Sequence, residues 1–299
     1  MLTDGEKRVA QALINVFETG SARGNYGDVT LIDGDSGHLT YGRSQTTLAS
    51  GGLYELVRRY CAEPDARYAA NLAPYLERLE KKDLSLDHDE AFRQFLRRAG
   101  TDPMMEHVQD VFFDERYWDR AVAAAEEIGL TLPLCIAVVY DGHVHGSWKA
   151  MRDRTTARHG NVVQLGEKAW IAHYITERRD WFEHNANPIL HKSVRRMDAF
   201  KELIAADRWQ LELPFVFRGV AIDEVSVGLI EAPPRELRRG MRGADVSALQ
   251  AALETAGYEV GIDGDFGPKT EAGLQAFQSD QGLVVTGILD EATRTALGL

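Results

Sequence analysis

The stretch Phe17-Glu18-Thr19-Gly20, followed a little further on by Val29-Thr30-Leu31-Ile32-Asp33-Gly34-Asp35-Ser36-Gly37-His38-Leu39-Thr40-Tyr41-Gly42, decides how this chain is read. Its first part closes an amphipathic helix. Thr3-Asp4-Gly5-Glu6 has the form of a capping box, in which a Thr hydroxyl and a Glu carboxylate satisfy each other's free backbone N–H groups. Val9, Ala10, Leu13, Ile14 and Phe17 then recur at three and four, the apolar face of a helix that reaches Glu18 and stops at Gly20. Tyr26 to Ile32 reads as β-like, Asp33 to Gly37 as a turn, and His38-Leu39-Thr40-Tyr41 as a second β-like piece. One carboxyl, Glu18, thus sits at a helix end, and another, Asp35, in a glycine-rich turn beside short strands.

Outward from that stretch, the chain is mostly helical between Leu53 and Ala206, with apolar positions such as Leu53, Leu56, Val57 and Tyr60, then Phe92, Phe95 and Leu96. Leu213 to Val220 is β-like and is expected to close the first domain, 1–220. Residues 221–236 carry Pro233-Pro234 and read as a linker. Residues 237–299 hold a weak internal repeat: Gly264-Asp265-Phe266-Gly267-Pro268-Lys269-Thr270 with Leu274 echoes Gly287-Ile288-Leu289-Asp290-Glu291-Ala292-Thr293 with Leu297. Leu249-Gln250 is echoed by Phe277-Gln278. Two such halves predict a compact three-helix unit with little room for an active site. The expected fold class is mainly α (α+β): a two-lobed helical domain with a small β-sheet at a cleft, then the three-helix domain.

The 299 residues accommodate one large and one small domain. Net charge is −12, which argues against nucleic acid as a partner, suits a cationic polymer, and also serves plain solubility. Cys135 lies in the apolar run Leu132 to Val139 and is expected to be a buried free thiol; pairing with Cys61 is left open. No Cys/His cluster has metal-ligand spacing, and His143 and His145 find no further ligand, so neither a metal nor another cofactor is expected. No apolar run approaches the ~20 residues of a membrane span, so no membrane partner is expected. The N-terminus opens straight into a helix, with no apolar leader core or cleavage site. Either a leader has been removed, or the protein leaves its cell by lysis or a dedicated secretion machine. A monomer acting outside the cytoplasm is expected.

Hydrolysis of a glycosidic bond commonly uses two carboxyl groups, one to protonate the leaving oxygen and one to activate water or attack the sugar. Apolar packing at the helix end would favour a protonated Glu18, while turn amides would keep Asp35 ionised. Asp33 competes with Asp35 for the second role.

Residues 5–220 resemble the chitosanases of glycoside hydrolase family 46, in the lysozyme-like superfamily. Phe17-Glu18 stands where that family has its catalytic acid. Asp35-Ser36-Gly37-His38-Leu39-Thr40-Tyr41-Gly42 follows the family pattern of an Asp, a glycine-rich turn and Thr-x-Gly, and this register favours Asp35 over Asp33. The resemblance implies an inverting endo-hydrolase of a β-1,4-linked amino-sugar polymer, with Glu18 as general acid, Asp35 as general base and Thr40 orienting water. Glu55-Leu56-Val57 with Tyr60 follows the next family helix. Tyr140-Asp141 with Val144 and His145-Gly146 matches a segment whose Asp belongs to a buried charge network supporting the acid. Arg179 and Arg196 fit that network's two arginines, with Arg178 and Arg195 as their immediate neighbours. Asp33, Tyr41, Gly52 and His145 are the candidates for lining the cleft. Gly52 is a departure: the family carries there an acidic residue that recognises a cationic glucosamine.

The tail resembles peptidoglycan-binding domain 1, from Leu237 to Leu297, through Gly240-Met241-Arg242-Gly243, Asp245-Val246, Leu249-Gln250, Asp263 to Gly267, Thr270, Phe277-Gln278 and Gly282-Leu283. It implies attachment to a bacterial cell wall. Two polysaccharides therefore compete as substrate. Peptidoglycan is favoured by the tail, the missing leader and Gly52; chitosan is favoured by the catalytic resemblance and the acidic balance. The expectation leans slightly to peptidoglycan. A third reading, a wall-binding protein with a dead hydrolase domain, is opposed by the joint presence of Glu18, Asp35 and Thr40.

Overall fold

The computed structural model describes residues 2–32, 35–43, 45–230 and 234–299. They divide into two compact units, Met1–Glu231 and Ala232–Leu299. The first unit contains two separate apolar cores, and the carboxyl candidates fall on opposite sides of that division.

The first core is assembled around the helix Pro133–Val144, whose residues from Pro133 to Gly142 are all buried. From Pro133 to Val139 it is apolar all round, and neighbours cover it on every side, as such a run requires. The opening helix Asp4–Thr19 packs on it and starts with the expected capping box: Glu6 N–H donates to Thr3 Oγ at 3.2 Å and Thr3 N–H donates to Glu6 Oε2 at 2.7 Å. It ends at Gly20, whose φ of 74° is the left-handed conformation a helix C-cap favours. The helices Glu167–Glu183 and Val194–Ala205 complete this lobe. The hairpin Phe215–Phe217 with Val220–Ile222 braces the end of the opening helix: the Phe17 ring meets Phe200 and Phe217 edge-on, at 5.4 and 5.2 Å between centroids.

The second core gathers Leu39, Tyr41 and Leu48 of the sheet region with the helices Gly52–Cys61, Glu90–Ala99 and Pro103–Phe113. Its sheet has three antiparallel two-residue strands, Val29–Thr30, Thr40–Tyr41 and Thr46–Thr47, with the middle one paired to both others. The strand expected from Tyr26 to Ile32 therefore shrinks to two residues. Asp114–Trp118 continues the Pro103–Phe113 helix as a π-helical turn, and its Tyr117 packs against both cores. Such wide turns commonly mark functional sites in helices.

Part of the expected linker is folded. Ala221 and Ile222 belong to the closing hairpin, Val227 is buried in the first core, and the Gly228 carbonyl accepts from Arg8 Nη1 at 3.1 Å. Apolar burial extends the first unit past the 1–220 boundary. At the other end of the stretch, Arg235 is engaged with Asp245 at 2.6 Å, inside the second unit.

The second unit holds the helices Ala244–Thr255, Pro268–Asp280 and Glu291–Leu297 around Leu237, Val246, Leu249, Phe266, Leu274 and Leu289. Its sequence repeat has a physical basis. The buried Gln250 amide oxygen accepts from Asp263 N–H and Gly264 N–H at 3.0 and 2.8 Å, while its NH2 donates to Thr270 Oγ at 3.0 Å. Gln278 does the same one repeat later, accepting from Thr286 and Gly287 N–H at 3.0 and 2.9 Å and donating to Thr293 Oγ at 3.0 Å. Each glutamine staples a glycine turn to the start of the following helix.

Both cysteines are free, Cys135 buried and Cys61 half-buried. Burial pushes the Cys135 thiol far up, so it is an inert core group. Among the described residues no group of His, Cys, Asp and Glu side chains has the form of a metal site, and no helix is long and apolar enough to cross a membrane.

Candidate active site

Glu18 lies in the last turn of the opening helix, and its carboxylate is met by a guanidinium. Arg196 Nη1 donates to Glu18 Oε1 at 2.7 Å, and the Glu18 side chain keeps 36% of its surface exposed. The same arginine donates through Nε to Asp141 Oδ1 at 3.0 Å and through Nη2 to that oxygen as well. Asp141 Oδ2 accepts from Arg178 Nη1, and Arg178 Nε donates to Ser147 Oγ at 2.8 Å. A chain of charge thus runs from Arg178 through Asp141 and Arg196 to Glu18, tying four helical segments together. Burial pushes the Asp141 carboxyl up, but Arg196 and Arg178 outweigh it and hold the group below the usual carboxylate range. The surroundings of Glu18 are therefore not the apolar pocket expected. Its neighbour Phe17 takes the apolar contacts, with the Arg196 guanidinium 4.5 Å over its ring.

Arg179 does not belong to this chain. It donates to Asp198 Oδ1 at 2.7 Å and Glu183 Oε2 at 2.8 Å, near solvent, and its immediate neighbour Arg178 takes the buried place. Helical phase explains the exchange. Trp170, Ile171, Tyr174, Ile175, Arg178 and Phe182 form a buried stripe of Glu167–Glu183; Arg178 lies near its centre, and Arg179, turned about 100° further round, lies at its margin. Arg196 is in step with Met197, Phe200 and Leu203 in the same way, where Arg195 is not.

Asp35 is exposed in the turn before the middle strand and belongs to the second lobe. Its Oδ1 accepts from Gly37 N–H at 3.3 Å. The turn is fastened from beneath by the buried Asp87, which accepts from Leu39 N–H at 2.9 Å and bonds His38 Nδ1 at 2.8 Å. Gly37 sits in close quarters: a Cβ there would stand 3.0 Å from Thr47 Cγ2 and 3.2 Å from Asp35 Oδ2, so a larger residue would press on both side chains. Thr40 is buried in the middle strand, and its hydroxyl is held between the Thr30 carbonyl at 3.1 Å and Gln45 Oε1 at 3.0 Å. Its one proton goes to these inner acceptors, which leaves oxygen lone pairs as its means of holding a water.

The other cleft candidates divide. His145 is half-buried beside the charge chain, its Nε2 at 3.1 Å from Ser193 Oγ and its ring edge-on to Phe182. Burial and then Arg178 push its pKa down. Tyr41 is not in a cleft: it is a core residue of the second lobe whose hydroxyl donates to the Leu96 carbonyl at 2.8 Å. The alternation of a short strand turns it inward. Gly52 begins the Gly52–Cys61 helix and lines a cavity with Thr46, Thr47 and Arg116. Asp33 lies outside the described residues. Sequence reading missed Gln45, Ser147 and Asp87 altogether. Nothing in their local pattern distinguishes them from ordinary surface polar residues.

Residues 12–215 match the model of glycosyl hydrolase family 46, and residues 242–297 match that of a peptidoglycan binding domain. A chitosanase of Bacillus subtilis (strain 168) is 27% identical over 231 residues, covering 73% of this chain and 83% of that protein. Among solved structures, a Gynuella sunshinyii GH46 chitosanase in complex with chitotetraose matches with a TM-score of 0.62 at 26% identity, over 74% of this chain and 98% of that one. A mutant chitosanase from Bacillus subtilis MY002 complexed with 6 GlcN gives 0.62 at 26%, over 73% and 96%.

Proposed function

This chain belongs to glycosyl hydrolase family 46, and from that premise we propose that it hydrolyses chitosan, with Glu18 as general acid and Asp35 as general base. The observation that carries the assignment is the Arg178–Asp141–Arg196 chain ending on the Glu18 carboxylate, across the lobe division from Asp35. A buried network of this kind is costly to desolvate and orients whatever it ends on. Here it ends on one partly exposed carboxyl at a helix terminus. Glu18 protonates the glycosidic oxygen as the bond breaks. Asp35 draws a proton from a water on the opposite face of the sugar, and a Thr40 lone pair accepts the water's other hydrogen. The water attacks the anomeric carbon as the sugar leaves, so the configuration inverts.

Chitosan is supported by relatives solved with chitotetraose and with 6 GlcN, and by the acidic balance of the chain. Peptidoglycan, which the sequence reading favours, keeps the support of Gly52 and the C-terminal module. That module bears on where the enzyme is held, not on which bond it cuts. The enzyme is accordingly one that acts outside the cytoplasm at a wall surface. The test is side-by-side product analysis on chitosan and on purified peptidoglycan, with the anomeric form of the new ends read by NMR. Fast release of oligosaccharides of inverted configuration from chitosan is expected. Cleavage of peptidoglycan with chitosan untouched would overturn the substrate, and retained configuration would overturn the mechanism.

A further inference from the structure

A cavity of ≈220 Å³ opens where the sheet meets the π-helical turn. Thr46, Thr47 and Ser50, the aromatic Phe113 and Tyr117, and the cationic Arg116 line it. One hydrogen bond and one shared neighbour place it on the Asp35 side of the fold. Gln45, which also lines it, accepts from Thr40 Oγ at 3.0 Å. Thr47 and Asp35 both crowd the same point, the Cβ position of Gly37, at 3.0 and 3.2 Å.

The charge in this cavity is one-sided. Arg116 is exposed and makes no ion pair with any described residue; its guanidinium rests 4.8 Å over the Phe112 ring. The carboxylates close by are already taken, since Arg59 bonds Glu55 at 3.1 Å and Glu115 at 2.7 Å. None of the lining residues is acidic. A glucosamine ammonium entering here meets a like charge on Arg116 and no acidic lining residue to offset it, an unfavourable encounter. An acetamido group suits every surface present. Its carbonyl accepts from the guanidinium, its N–H donates to a Thr or Ser oxygen, and its methyl group lies on an aromatic face. Gly52 adds no side chain to the lining: a Cβ there would stand 3.0 Å from Thr46 Cγ2, 3.2 Å from Ser50 Oγ and 3.9 Å from Arg116 Nη1, so any larger residue would press on the ends of Thr46 and Ser50 at the cavity wall.

We propose that this cavity is a subsite for an N-acetylated amino-sugar unit, and that Arg116 discriminates there against a glucosamine cation. The proposal rests on the reading of the chain as a chitosan hydrolase, and its test separates the two. Initial rates are measured on chitosans of graded acetylation, and product sequences are read by mass spectrometry. The native enzyme should show a higher kcat/KM on partly acetylated than on fully deacetylated chain, with an acetylated unit at a fixed distance from the new ends. Arg116→Glu, a change at an exposed side chain, should lower that preference about tenfold or reverse it. Gly52→Asp combined with Arg116→Ala leaves a free carboxylate in the cavity and should favour the deacetylated chain. Binding of fully acetylated and fully deacetylated glucosamine tetramers to a Glu18→Gln protein, by calorimetry, gives a readout independent of turnover. If no chitosan is cut, the proposed function fails while the binding comparison still decides the subsite. An unchanged acetyl preference in Arg116→Glu, or tighter binding of the deacetylated tetramer with Arg116 present, overturns the subsite.

Discussion

Single residues in this protein carry very unequal weight, and neighbours in sequence show it best. Arg178 is fully buried against Asp141, whereas Arg179 pairs with Asp198 and Glu183 at a side chain 29% exposed. Removing one member of a buried pair strands the other charge and costs about 3–5 kcal/mol, while a surface pair is worth about 0–1 kcal/mol. Arg178→Ala should therefore lower the denaturation midpoint severely, and Arg179→Ala should leave it nearly unchanged. Equal midpoints for the two variants in urea titrations would remove the network from the account. At the chemical end of the same chain, Glu18→Gln keeps the shape and an acceptor for Arg196 but has no proton to give. Turnover should fall about 10²–10⁴-fold with the fold intact, since general acid catalysis commonly contributes that much. Near-normal kcat on chitosan in this variant would take Glu18 out of the mechanism.

Between elements, the contact with the clearest pH signature is the clamp on Glu177. Glu177, on Glu167–Glu183, is buried and accepts from Arg154 at 2.6 Å and Arg158 at 2.9 Å, and its other oxygen lies 2.9 Å from His159 Nε2, all three on Trp148–His159. Burial pushes its pKa up, yet the bonds from His159, Arg154 and Arg158 win and bring it down to about 2. A carboxyl depressed in the folded state stabilises the fold above its unfolded pKa and loses that contribution as pH falls through the folded value. The window is thus from the ordinary Glu range, about 4.3, down to about 2, and the loss is on the order of 3 kcal/mol. Chemical denaturation across that range should show a steep acid limb in the native protein and a shallower one in Glu177→Gln. Identical slopes would mean that this clamp between two helices does not govern acid stability.

At the scale of the whole molecule, the two units have separate cores, and the stretch between them is shorter than the sequence suggests. Ending the chain at residue 231 preserves the closing hairpin and Val227, so that piece should fold and should cleave soluble oligosaccharides at the full-length rate. Cutting at 220 would remove Val227 and most of the second hairpin strand from the first core, and should destabilise it. On insoluble wall material the 231-residue piece should bind poorly, because the second unit raises local concentration at a surface. Pull-down on purified cell walls measures this directly; equal retention of full-length and shortened protein would refute the tether.

The sequence by itself determined what depends on local pattern. The capping box at Thr3, the stop at Gly20, the turn around Asp35 and the glutamine-marked repeat of the tail are all short-range features, and each could be read from a few adjacent residues. Family likeness across segments pointed to Asp141 and Arg196. What only the tertiary structure decided depends on which side of an element meets which neighbour. Tyr41 could have faced a cleft or a core until the strands paired. Arg178 and Arg179 are chemically identical and differ only by the 100° that one residue turns a helix, which puts one against Asp141 and the other in water. The buried stripe of Trp170, Ile171, Tyr174 and Ile175 held that distinction, but it became legible only once the stripe's partner was known. Arg116 and Gly52 are far apart in sequence, and their shared cavity exists only because a π-helical turn and the sheet close on one another. A charge's meaning is set by what surrounds it in space, and sequence order does not record that.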